Sequence, residues 1–239
     1  TYKVSLNGGV PKLLNKGNFN TMTYPSDNHR YFINNFSRVN TTPESHLINS
    51  DGNVIMKLEK ADLSALFESG YQFPETFKAK ADDGITDLYG VIYKPFDFDE
   101  NKKYPLLEYV YPGPQTESVN KSFSVRMDRL DRMAQLGFIV ITLGNRGGHP
   151  DRSKWYHNYG YGNLRDYGLA DKKYVAQQLA NRHSFIDIDR VGIYGHSGGG
   201  FMSTAAILVY PDFFKVAYSQ AGNHDLSLIH ISEPTRPPE

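Results

Sequence analysis

The chain has 239 residues, 39% hydrophobic and 22% charged, enough apolar material for one large domain or one domain and part of another. Lysine plus arginine and aspartate plus glutamate both number 26, so no net field draws it to nucleic acid or to an anionic membrane surface. It has no cysteine, which excludes disulfides, thiol catalysis and cysteine-bound metal, and no apolar run long enough to span a bilayer.

Residues 1 to about 58 read as all-β. Tyr2-Lys3-Val4-Ser5-Leu6 alternates, Asn7-Gly8-Gly9 signals a turn, and Pro11-Lys12-Leu13-Leu14 supplies a return strand. Strand-like runs follow at 19–24, 30–36, 44–49 and 53–58, separated by Pro25-Ser26-Asp27-Asn28 and Ser50-Asp51-Gly52-Asn53. Short antiparallel strands with frequent turns suit a sandwich or a propeller blade. The chain opens inside a strand-like pattern without a signal peptide, and we expect it to have been cut from something longer.

Residues 61–70 predict a short linking helix ending at Gly70. The pattern then changes. Strands over 76–81 and 88–93 flank the turn Asp82-Asp83-Gly84, and residues 105–111 form an apolar strand. Residues 127–136 have helical spacing, and the run 137–143 is nearly all apolar, as in a strand buried on both faces. Helices are predicted over 166–180 and 199–209, and strands over 190–194 and 215–220. Such alternation predicts a parallel sheet covered on both sides. Residues 226–236 of the tail LSLIHISEPTRPPE read like the translation of a sequencing-library adapter, so 226–239 is expected to be non-native; a genuine edge strand is the alternative.

Between a predicted strand and a predicted helix lies Gly195-His196-Ser197-Gly198-Gly199-Gly200. This is the context in which G-x-S-x-G forms a nucleophile elbow in an α/β-hydrolase fold. The chain turns sharply there, and small residues on either side prevent clashes. Ser197 Oγ is then presented at the C-terminal edge of the sheet, over a helix N-terminus that favours developing negative charge. The Gly198 N–H points to where an oxyanion would form. A glycine-rich structural turn is the bland alternative; a phosphate-binding loop fails because no lysine follows the glycines.

Three blocks resemble the prolyl oligopeptidase family, in its dipeptidyl peptidase IV-like branch. They are Met56-Lys57-Leu58-Glu59-Lys60-Ala61-Asp62-Leu63 with Leu88-Tyr89-Gly90-Val91-Ile92-Tyr93-Lys94-Pro95; the run Tyr104 through Tyr111-Pro112-Gly113-Pro114; and Gly144-Asn145-Arg146-Gly147-Gly148 with the elbow. The resemblance covers residues 1 to about 225. It implies the last strands of a β-propeller over 1–60, a linker helix over 61–75 and the first portion of an α/β-hydrolase peptidase domain over 76–225. It implies a serine peptidase acting on peptide substrates near proline or alanine, without a cofactor or metal, from a homodimeric, periplasmic or secreted parent. By position Tyr111 matches the family's oxyanion-hole tyrosine, partnering the Gly198 N–H; otherwise it reads as a core aromatic. Many relatives carry an aromatic at His196, tyrosine at Gly198 and aspartate at Asn145, so the chain departs from the pattern at all three.

The fold's order of Ser, then Asp, then His leaves only Asp212, Asp225, His224 and His230 after Ser197. Asp212 reads as a turn residue, His224-Asp225 as residues near the site mouth, and His230 belongs to the tail. None is assigned to the triad, so the missing acid and base are expected downstream, and the chain alone is expected to be inactive. His149, Asp151, Trp155 and His157 read as a substrate-rimming or solvated loop rather than a metal site, Arg146 as a scaffold ion-pair partner, and Asp166 and Asp171 as helix-start charges. An esterase of the same fold and a non-enzymatic propeller-based binding protein remain the rival readings.

Overall fold

The computed structural model describes residues 1–113, 116–124, 129–162 and 167–224. The chain divides into two compact units. One comprises Thr1–Thr76, Val91–Phe98 and Asn120–Leu136, and the other Phe77–Gly90, Asp99–Val119 and the chain from Gly137 onward.

In the first unit, β1 (Tyr2–Lys3) and β2 (Lys12–Leu13) form a short antiparallel pair. Four further strands, β3 (Asn20–Pro25), β4 (Tyr31–Ser37), β5 (Glu44–Asn49) and β6 (Val54–Lys60), run as an antiparallel meander in that order. The turns form where short polar side chains mimic the backbone. Asn28 Oδ1 accepts the Arg30 N–H, and Asn49 Oδ1 accepts the N–H groups of Asp51 and Asn53. β6 is exposed along its whole length, as the edge of this sheet.

Helix α1 (Ser64–Glu68) is shorter than the predicted 61–70. The Asp62 carboxylate accepts both the N–H and the hydroxyl of Ser64, holding the chain outside the helix before it starts, and Gly70 leaves it at φ +92°. Beyond it Phe67, Tyr71, Phe73, Phe96 and Phe123 pack together, all edge to face except the tilted Phe67–Tyr71 pair, with centroids between 5.4 and 6.3 Å apart. Burial and the nearby Asp131 carboxylate push the Tyr71 hydroxyl up to about 12. Helix α2 (Arg129–Ala134) lies within the expected 127–136, whose first two residues are outside the described set.

A six-stranded sheet runs in the order β12-β11-β9-β10-β8-β7. Its strands are β7 (Glu75–Lys80), β8 (Asp87–Tyr93), β9 (Tyr104–Val110), β10 (Ile139–Leu143), β11 (Ile186–His196) and β12 (Phe214–Gln220). The pairs β9–β10, β9–β11 and β11–β12 are parallel, as alternating strands and helices require. All five residues of β10 are buried, which accounts for its uninterrupted apolar sequence. β11 begins four residues before the predicted strand because Ile186 and Asp187 pair with Tyr104 and Pro105 ahead of a register shift. Helix α4 (Leu169–Arg182) turns Leu169, Val175, Ala176 and Leu179 inward at helical spacing; residues 163–166, including Asp166, lie outside the described set. Helix α5 (Gly198–Val209) follows β11 directly. The short helix α3 (Lys154–His157) and the 3₁₀ turn Asn158–Gly160 leave no signal in the sequence, since four residues are too few to show a period. β10 follows β9 on one side and β11 lies on the other, so the strand order reverses at β9. Such a switch point opens a crevice at the C-terminal strand ends. Among the described residues no helix is long and apolar enough to cross a membrane.

Candidate active site

β9 and β11 deliver Tyr111 and Ser197 to that C-terminal end of the sheet. Gly195 pairs with Val110 in the parallel register, so the residue after each strand lies at the same sheet edge. Ser197 has φ 55° and ψ −117°, a conformation that L-residues rarely adopt and that the surrounding contacts must hold. Its N–H donates to Gln220 O at 2.8 Å, and its carbonyl accepts the Phe201 N–H at 3.0 Å. The turn is thus tied to β12 behind it and α5 ahead of it. Ser197 sits at the N-cap of α5, yet its side chain makes no capping bond and Oγ stays unengaged among the described residues.

Each glycine of the elbow answers to a particular neighbour. A Cβ on Gly195 would lie 2.2 Å from Val110 O, and one on Gly199 2.0 Å from the same oxygen. On Gly200 it would lie 2.6 Å from Gln220 O. Those oxygens belong to paired backbone and cannot swing aside, so three positions of the motif are fixed by strand packing. Gly198 is different: its Cβ would meet only Pro112 O, at 3.0 Å. The first N–H groups of α5, starting with Gly198, have no acceptor within the helix and carry its positive end. Ser203 Oγ and Ser219 Oγ donate to the carbonyls of Gly199 and Gly200 at 2.7 and 2.8 Å, pinning the first turn.

Tyr111 directly follows β9. A Gly199 Cβ would stand 3.3 Å from its Cα, so its backbone packs on the elbow. The structure therefore brings Ser197, Gly198 and Tyr111 together. Gln220 and Val110, whose carbonyls shape the turn, carry no sequence signal, since any residue supplies a carbonyl and only the register selects these two.

Asp212 lies before β12, at the opposite end of the sheet from Ser197, roughly seven strand residues or about 20 Å away. Its carbonyl accepts the Lys215 ammonium. His224 stacks on Phe201 with centroids 6.0 Å apart and faces Ser219 Oγ at 3.4 Å. Asp225, His230 and the tail lie outside the described residues. His149 Nδ1 and Asp151 form a pair at 3.5 Å, and His157 Nδ1 bonds Gly148 O at 2.9 Å. Trp155 is 91% exposed, so it contributes nothing to the core. Among the described residues no three His, Cys, Asp or Glu are grouped to hold a metal.

Arg146 closes a scaffold ion pair. Its Nη2 meets Asp171 Oδ1 at 2.6 Å, its Nε reaches both carboxylate oxygens at 3.1 Å, and its Nη1 lies 3.2 Å from Asp83. Asp171 is fully buried in the first turn of α4. Partial burial acts to raise Asp83, but Thr86, the N–H of Ile85 and the Arg146 guanidinium outweigh it and hold the carboxyl down at about 2. Deeper still, Glu108 of β9 and Lys172 of α4 are buried together. Desolvation pushes Glu108 up and Lys172 down, each to about 8, and each is drawn back by the other's charge.

The site's geometry joins comparisons with known proteins. Residues 123–235 match the model of the prolyl oligopeptidase family. Human dipeptidyl peptidase 8 is 40% identical over 152 residues, 63% of this chain and 17% of that protein. The probable dipeptidyl-aminopeptidase B of Aspergillus clavatus is 34% identical over 169 residues, 68% of this chain and 18% of that protein. A crystal structure of a "putative dipeptidyl aminopeptidase IV" from Bacteroides ovatus superposes with a TM-score of 0.71 at 30% identity, covering 82% of this chain and 28% of that one. The chain thus spans less than a fifth of the length of these two curated relatives. With a sheet that is parallel across β10, β9, β11 and β12, a strand-to-helix serine turn and these likenesses in hand, the chain belongs to the prolyl oligopeptidase family.

Proposed function

We propose that this chain carries the nucleophile and the oxyanion donors of a dipeptidyl-peptidase-like serine peptidase. The observation that carries this is Ser197, held at φ 55° on the N-terminus of α5 with its hydroxyl unengaged among the described residues. A serine meant only to cap the helix would spend that hydroxyl on a backbone N–H.

In this reading Ser197 Oγ attacks the carbonyl of a substrate peptide bond. The negative charge on the tetrahedral oxygen is met by the Gly198 N–H and the Tyr111 hydroxyl, while the helix dipole adds favourable potential. Collapse expels the amine of the leaving peptide and leaves an acyl ester on Ser197, which water then hydrolyses. A base must take the Ser197 proton and return it to the leaving amine. We assign that base and its orienting acid to residues beyond the described set. The antiparallel strands of residues 1–60 fit the final strands of a propeller, and residues 76–225 the first portion of the hydrolase domain.

The test is turnover of a proline-containing dipeptide anilide by the intact gene product and by its Ser197→Ala variant. Loss of at least 10³-fold in kcat with the variant still folded is expected, in line with removal of a catalytic nucleophile. Equal rates would dismiss the assignment.

A further inference from the structure

Tyr111 is followed by a segment that the structure fastens with more polar groups than a surface loop needs. Gly113 and Thr116 pair as an isolated bridge, and the Thr116 N–H donates to Gly113 O at 3.3 Å. Ser118, in the left-handed region at φ 53°, donates through Oγ to Tyr111 O at 3.4 Å, and its own carbonyl accepts Thr142 Oγ1 at 2.8 Å. Between them stands Glu117. Its side chain fills the space beside Gly144 and Gly148, where an added Cβ would lie 2.7 and 2.6 Å from its atoms. The buried Tyr156 of α3 donates its hydroxyl to Glu117. Arg152 lies 4.4 Å over the Tyr156 ring, and the buried Lys172 ammonium contributes positive potential at both Glu108 and Glu117. Two glycines and a buried tyrosine thus converge on one carboxylate.

We propose that Glu117, clasped by Tyr156, is a positioning residue that seats the Tyr111 turn against the nucleophile elbow; this rests on Tyr111 serving the oxyanion as described above. The segment it anchors begins where Val110 O, Tyr111 Cα and Pro112 O line the elbow glycines. Glu117 itself touches no reacting atom. Its effect is on placement, and displacing a catalytic donor by about 1 Å costs up to about 10² in rate.

The experiment measures kcat and KM for the dipeptide anilide on the intact gene product carrying Tyr156→Phe, Glu117→Ala, Glu117→Gln and Tyr111→Phe, and Glu117→Ala combined with Tyr111→Phe. Tyr156→Phe removes one hydroxyl and is the variant least able to unfold the site. We expect Tyr156→Phe and Glu117→Ala each to lower kcat about tenfold with KM within about twofold, and Glu117→Gln, which keeps an acceptor in the same place, to recover most of the loss. In the Tyr111→Phe background Glu117→Ala is expected to cost no more than twofold further, because its route of action is already gone. Wild-type kcat in both Tyr156→Phe and Glu117→Ala, or full additivity in the double variant, overturns the proposal. If Tyr111→Phe alone leaves kcat unchanged, the assignment of the oxyanion tyrosine fails instead, and the two failures are told apart by that single variant.

Discussion

Gly198 and Gly199 are adjacent in sequence and identical in chemistry, yet their surroundings differ. An alanine at 199 drives a methyl into Val110 O at 2.0 Å, whereas at 198 the nearest atom is Pro112 O at 3.0 Å. Gly199→Ala is therefore expected to cost several kcal/mol, at or beyond the usual 1–3 kcal/mol of overpacking, because a paired strand must move. Gly198→Ala is expected to cost well under half of that. Urea midpoints of the two variants check the order; equal losses would contradict the packing account. Asp83 offers a second test. Its carboxyl is held at about 2 in the folded chain against about 3.9 unfolded, so the folded state binds fewer protons between those values. The stabilisation is fully present above about pH 4 and disappears as the pH falls through 2. The midpoint difference between wild type and Asp83→Asn should accordingly be constant from pH 7 to about 4 and shrink below it; a difference that persists unchanged at pH 2 would contradict the assignment. Ser197 and its glycines were legible in the sequence because they are contiguous. Glu117 and Tyr156 were not, because they lie 39 positions apart and meet only through the loops after β9 and β10.

The loop after β10 and the first turn of α4 are joined by Arg146 and Asp171, a link that connects two elements rather than two surface charges. Asp171 also accepts the N–H groups of Asp82 and Arg146, so the carboxylate organises three chain segments. Arg146→Met leaves a fully buried carboxylate without its cation and is expected to cost about 3–5 kcal/mol, measured as a shift in unfolding midpoint. A loss below about 1 kcal/mol would show that the pair holds nothing together. Arg146 is legible in the sequence as a scaffold ion-pair partner, whereas Asp171 reads there simply as a helix-start charge. Its first-turn position was visible in the helical pattern, and its complete burial was not. Strands were read well where burial is two-sided: residues 137–143 are nearly continuous in apolar side chains and contain β10. Element ends were read less well where a partner strand sets them. Ile186 and Asp187 join β11 only because β9 begins opposite them, and the buried Glu108 inside β9 looks like an interruption until Lys172 of α4 is found buried in the same core.

On the scale of the whole molecule, the reversal of strand order at β9 is what makes a site. It sets the ends of β9 and β11 side by side, so that Tyr111 and Ser197, 86 residues apart, arrive at the same end of the sheet. The α/β architecture, with parallel pairing among β9, β10, β11 and β12, is legible from the alternation of elements. Which strands are neighbours is not, since sequence order and sheet order differ here. Because no described histidine or carboxylate hydrogen-bonds Ser197 Oγ, the 239-residue chain assayed alone is expected to hydrolyse a dipeptide anilide no faster than its Ser197→Ala variant; brisk serine-dependent turnover by these residues alone would place a base among them. Ser197 is expected to be an activated nucleophile in the intact gene product. A fluorophosphonate probe incubated with that product, followed by peptide mapping, tests it most directly. One phosphonylated peptide is expected, containing Ser197 and absent from the Ser197→Ala variant. No adduct on the wild type, or an adduct that survives the substitution, would contradict it.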